Sequence, residues 1–154
     1  MELNGLPLHA LVVHAAVVFV PLAALAAILF VVPRWRWLLR WPTLVLSVLA
    51  LVFVQVAILS GESLRDTRGP DSPQIETHEE WAEKLRLALI VLTLLVILAF
   101  WAFGYITRIA GAADRPSRAA ALEKPMMVVL PLVGVAVMVL VFLTGDAGAT
   151  SVWG

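Results

Sequence analysis

Cysteine is absent from the chain. That excludes disulfides, thiolate-bound zinc, iron–sulfur clusters and covalent c-type haem attachment. Any metal or cofactor would have to be held by His, Asp, Glu, Gln or Met. Charge is also scarce: 11 Lys and Arg balance 11 Asp and Glu over 154 residues, for a net charge of zero. There is no basic stripe of the kind that binds nucleic acid. The chain carries no P-loop, no glycine-rich phosphate cradle and no nucleophile–base set, so a stand-alone catalytic activity is not expected. The start Met-Glu-Leu-Asn lacks the basic segment of a signal peptide, and the apolar run after it is too long for one. The first helix is therefore expected to be retained.

What the chain has is apolar length. Hydrophobic residues make up 62% and the mean hydropathy is +0.97, the composition of an integral membrane protein. Spanning the hydrocarbon takes about 20 mainly apolar residues. Four segments qualify, at about 8–32, 42–60, 85–107 and 125–144. The third helix is expected to begin earlier, at 73 with Ser72-Pro73 or a few residues on at the capping box Thr77-x-x-Glu80. Pro42 and Pro125 are expected at helix starts, whereas Pro21 and Pro131 fall inside helices. The fold expected is all-α: one transmembrane domain, 1–154, folded as an up-down-up-down four-helix bundle with an outer loop at about 61–84. Ala23, Ala24, Ala26, Ala27, Ser47, Ala50, Gly134 and Ala136 would allow close helix contacts.

Orientation follows from charge. The first connection sets Arg34, Arg36 and Arg40 among Trp35, Trp37 and Trp41, and the third carries Arg108, Arg115, Arg118 and Lys124. These seven basic residues face Arg65, Arg68, Lys84 and Arg86 around the acidic second connection. The positive-inside rule then places both termini outside a bacterial cytoplasmic membrane.

With that topology the three histidines gather at the outer end, His9 and His14 on the first helix and His78 at the start of the third. An ionisable side chain at membrane depth is a candidate functional group by default. Rise per residue puts His14 near the depth of Gln55, placed for a hydrogen bond, with His9 and His78 nearer the interface. The five-residue spacing of His9 and His14 turns the helix by about 140°, so the two rings do not share one face and a single ion held by both is disfavoured unless the first turn is distorted. His78, inside Glu76-Thr-His-Glu-Glu, reads on its residues alone as solvated helix surface. Glu62 and Asp146 are expected just past the ends of the second and fourth helices, where the macrodipole disfavours an anion and calls for a partner such as Arg65, Arg68 or a protonated histidine. Trp81 and Trp153 read as interfacial anchors.

Four pieces carry a resemblance: GLPLHALVVHAAVVFVPLAAL at the start, SGESL, THEEWAEK, and TGDAGATSVWG at the end. Together they resemble a family of small bacterial membrane proteins catalogued as domain of unknown function number 2231. The resemblance implies a four-helix membrane protein with a Pro-x-His-x-x-x-x-His start, here Pro7, His9 and His14, and a histidine after the second helix, here His78. Many relatives have Gly-His where this chain has Gly145-Asp146. The resemblance implies no established activity; fusions of related domains to Rieske-type or cytochrome-type modules suggest a redox setting.

Two functions compete. One is a redox or cofactor module, with haem b or a transition metal on pairs drawn from His9, His14 and His78 and with Gln55, Glu62 or Asp146 as outer support. The other is a non-catalytic accessory or assembly subunit, working with a respiratory or redox membrane partner or as a homo-oligomer. A transporter or channel draws only on Pro21 and Pro131 and is the weakest.

Overall fold

The computed structural model describes the backbone of residues 2–3, 6–68, 73–106 and 113–153, with side chains over 11–63, 73–106 and 113–150. A two-residue antiparallel pairing, β1 (Glu2–Leu3) with β2 (Leu6–Pro7), precedes four helices. These are α1 (Leu8–Phe30), α2 (Arg36–Arg68), α3 (Pro73–Ala102) and α4 (Ala120–Trp153). All four are long and apolar enough to cross a membrane. Helix α1 packs on α2 and α4, α3 packs on the same two, and α1 and α3 stand diagonally. The bundle is thus an antiparallel ring in chain order.

Three helices run past their apolar spans. A single 3₁₀ turn, Pro33–Trp35, joins α1 to α2, so α2 starts at Arg36 and takes in Pro42. Helix α4 likewise starts five residues before Pro125 and continues to Trp153. Both prolines are therefore inside helices rather than at their starts. Each ring sits on an exposed face, clear of the packed interior. Helix α3 does start at Pro73, a residue whose missing N–H is harmless in a first turn. Thr77 is not its cap, because its Oγ1 donates back to Pro73 O at 2.9 Å within the helix.

The core is made of small and medium side chains. On α1 it is Ala16, Val20, Ala23, Ala24, Ala27 and Phe30, a mostly alanine face that lets the neighbours come close. On α3 it is Leu85, Leu89, Leu92, Val96 and Ala99, spaced by three and four as one helical face requires. Gly134 of α4 marks a close approach to α1: a Cβ there would stand 2.8 Å from Ile28 Cγ1 and 3.2 Å from Ala24 O. Two hydroxyls tie helices inside the bundle, Thr43 Oγ1 to Ala26 O and Thr93 Oγ1 to Ser47 O, both at 3.3 Å. The outside is apolar: Val17, Leu25, Val52, Leu94, Val128, Leu132 and Phe142 are exposed. A surface of that kind is at home in lipid.

Gly134→Leu is expected to destabilise the bundle by about 1–3 kcal/mol through overpacking against α1. Gly145→Leu, where a Cβ meets nothing within 4 Å, is expected to leave stability unchanged. Loss of helical circular dichroism on heating in detergent micelles compares the two.

Candidate functional site

The histidine end and the arginine end of the bundle hold nearly all of its unusual polar groups. At the histidine end, His78 is half-buried on α3, and its Nδ1 lies 2.9 Å from Thr144 O on α4. A carbonyl can only accept, so Nδ1 carries a proton and donates, and Nε2 takes no part in that bond. The ring lies against Gly148, where a Cβ would come within 3.0 Å of His78 Cε1. His78 is thus a positioned side chain, not solvated surface. What the residues around it could not reveal is the passage of α4 alongside, with a glycine where the ring sits.

The other candidates are dispersed. His9 belongs to the first turn of α1, but its side chain lies outside the described residues. His14 is exposed on α1 and Gln55 is half-buried on α2. Glu62 and Asp146 are exposed and lie inside α2 and α4, six and seven residues before the helix ends, so the adverse macrodipole expected at each is weak. The partners expected from α2, Arg65 and Arg68, have side chains outside the described residues. Asp146 borders an apolar groove of about 440 Å³ with Val17 and Pro21 of α1 and Phe142 of α4. The Gly134 contact with Ala24 and Ile28 fixes the α1–α4 register; counting about 18 Å along each helix from it brings Asp146 level with His14. Among the described residues no three His, Asp or Glu side chains are grouped to hold a metal ion.

The arginine end holds a denser constellation, where the sequence showed only an excess of basic residues. Arg36, the first residue of α2, is only 4% exposed. Its Nη1 is 3.4 Å from Glu123 Oε2 and donates to Gly104 O, its Nη2 donates to Val31 O, and its guanidinium lies 4.1 Å from the Phe103 ring centroid. Its Nε has no acceptor among the described residues. Glu123, in the first turn of α4 where the macrodipole favours an anion, also accepts from Gly104 N–H at 3.3 Å. Gly104 has no room for a side chain, since a Cβ would fall 2.5 Å from Ser117 N and 2.8 Å from Arg115 O.

Cations also cap the C-terminus of α3, whose own last turn has none. Arg40 Nε and Arg115 Nη1 donate to Phe100 O, Arg115 Nη2 to Trp101 O, and Ser117 Oγ to Ala102 O. The Arg40 guanidinium stacks 3.7 Å from the Phe100 ring centroid. Burial, then the charges of Arg40 and Arg118, lower the Arg115 pKa, and Tyr105 opposes them. Beside this cap lies a cavity of about 720 Å³ lined by Arg34, Arg36, Tyr105, Asp114, Arg115 and Glu123, among others. The one sequence signal for the constellation was Glu123, an acid at the start of an apolar span in a basic connection.

Glu123→Ala leaves Arg36 buried without its counter-ion, and is expected to cost about 3 kcal/mol. The double variant Arg36→Met with Glu123→Leu is expected to recover only part of that, because Val31 O and Gly104 O lose their donor. Thermal unfolding in micelles gives the cycle.

A family model described as "Predicted membrane protein (DUF2231)" matches residues 5–154. No curated protein matches, and no solved structure matches.

Proposed function

The chain belongs to the DUF2231 family of predicted membrane proteins, and from that premise we propose that it is a redox or cofactor module of the bacterial inner membrane. In this proposal the histidine end faces outward and holds haem b or a transition-metal ion, with His78 as the primary ligand. The carrying observation is the 2.9 Å hydrogen bond from His78 Nδ1 to Thr144 O. A ligating imidazole commonly donates its second ring nitrogen to a carbonyl, which fixes the tautomer, aims Nε2 and raises its basicity. The remaining ligand comes from α1, His9 before His14, because His9 lies in the first turn, at the mouth of the bundle. Helices α1 and α3 stand diagonally, so a group held between their ends would lie across the mouth and leave the packed core intact. Asp146, level with His14, and Gln55 and Glu62 would serve as outer polar support.

The alternative is an accessory or assembly subunit that presents the histidine end to a respiratory or redox partner, or to a second copy of the chain. It draws on the first turns of α3, where Gln74, Ile75, Glu76 and Thr77 are all exposed.

The absorption spectrum of the purified protein, with pyridine haemochrome and metal analysis, separates the two. A Soret band or stoichiometric metal is expected, lost in His78→Ala and kept in Glu76→Gln. A colourless, metal-free protein that co-purifies with a partner would establish the accessory role instead. Orientation has its own check: alkaline phosphatase fused after Gly154 should be active, and an inactive fusion with a folded reporter would reverse the topology.

A further inference from the structure

The arginine end carries more positive charge than its carboxylates answer. The 720 Å³ cavity there is lined by three arginines, Arg34, Arg36 and Arg115, against two acids, Asp114 and Glu123. Glu123 is committed to Arg36 and Gly104 N–H. Arg115 and the neighbouring Arg40 donate only to neutral carbonyls, and no carboxylate pairs with either among the described residues. Arg34 is exposed, and its guanidinium packs 5.1 Å from the Trp35 ring centroid. Two of these guanidinium groups are fixed: Arg36 is buried against Val31 O, Gly104 O and Glu123, and Arg115 is clamped on the last carbonyls of α3, while Arg34 is exposed. A preorganised group of fixed forks with surplus charge is what binds a phosphate oxyanion, in bidentate, charge-assisted hydrogen bonds.

The walls narrow the ligand further. Pro33, Ile106 and Pro116 supply apolar surface beside the arginines, and Tyr105 adds an amphipathic ring. Trp35, Trp41 and Trp101 are exposed at the same end of the bundle. Indole rings mark the headgroup level of a bilayer, so the cavity opens where lipid phosphates lie. Basic pockets between transmembrane helices at that level suit anionic headgroups. We propose that this cavity is a binding site for a phosphate ester, an anionic phospholipid headgroup held by Arg34 and Arg115 over the buried Arg36–Glu123 pair. It is independent of the histidine end, and neither proposal needs the other.

The test uses the delipidated full-length protein, with thermal unfolding and equilibrium binding as readouts. In phosphatidylcholine nanodiscs doped with phosphatidylglycerol, melting should rise by several degrees over phosphatidylcholine alone. Arg34→Gln removes a lining charge that makes no helix cap, so it should fold normally and bind the anionic lipid about tenfold more weakly. Inorganic phosphate supplies the second arm. If it displaces phosphatidylglycerol at millimolar concentration the site serves soluble phosphate as well, and if it does not the lipid is the ligand. No difference between the two nanodiscs, or an Arg34→Gln variant that binds phosphatidylglycerol as the parent does, overturns the proposal.

Discussion

Where helices end inside a packed bundle, their last carbonyls and first amides run out of helical partners in surroundings that exclude water, and Arg36, buried at the junction of the bundle's connections, is placed where that problem arises. It follows α1 by a single 3₁₀ turn and opens α2. From there one guanidinium reaches Val31 O after α1, Gly104 O after α3 and Glu123 at the start of α4. Replacing any of these partners by an apolar group strands another in a poor solvent for it. The end of the bundle is therefore specified by hydrogen bonding, while its middle is specified by shape, through the alanines of α1 against Gly134 of α4.

The two ends solve the same problem with opposite chemistry. At the arginine end, α3 lacks a basic residue in its own last turn and borrows cations from α2 and from the connection to α4. Fixed positive charge answers the helix dipole there and leaves a surplus. At the histidine end, α2 and α4 extend past the apolar spans, and the prominent link across α3 and α4 is an imidazole N–H on a carbonyl. One end thus carries fixed positive charge, the other a positioned imidazole. Those different chemistries are the physical basis for the two proposals, a phosphate site at one end and a ligand site at the other.

Much of the fold was legible because a bilayer imposes a strict rule on sequence. Runs long enough to cross hydrocarbon, separated by polar connections, allow few architectures, and the four helices and their antiparallel order follow. Helix ends were less legible: Pro42 and Pro125 looked like starts, yet α2 and α4 begin earlier because nothing before those prolines breaks a helix and both rings point outward. Side-chain contacts between spans, such as one between His14 and Gln55, are less legible still. Depth can be counted at 1.5 Å per residue, but which face meets which depends on the roll of each helix, set by packing far from either residue.

What the sequence alone determined was therefore the family, the membrane, the four spans and the charge difference between the ends, all consequences of composition and of lengths that are additive along the chain. Only the tertiary structure decided that Arg36 is buried and paired with Glu123, 87 residues further on, that Arg40 and Arg115 cap a helix to which neither belongs, and that His78 is aimed by Thr144 and seated on Gly148. Each of those depends on the register between helices, and register is fixed by the sum of many small contacts rather than by any residue that can be read on its own.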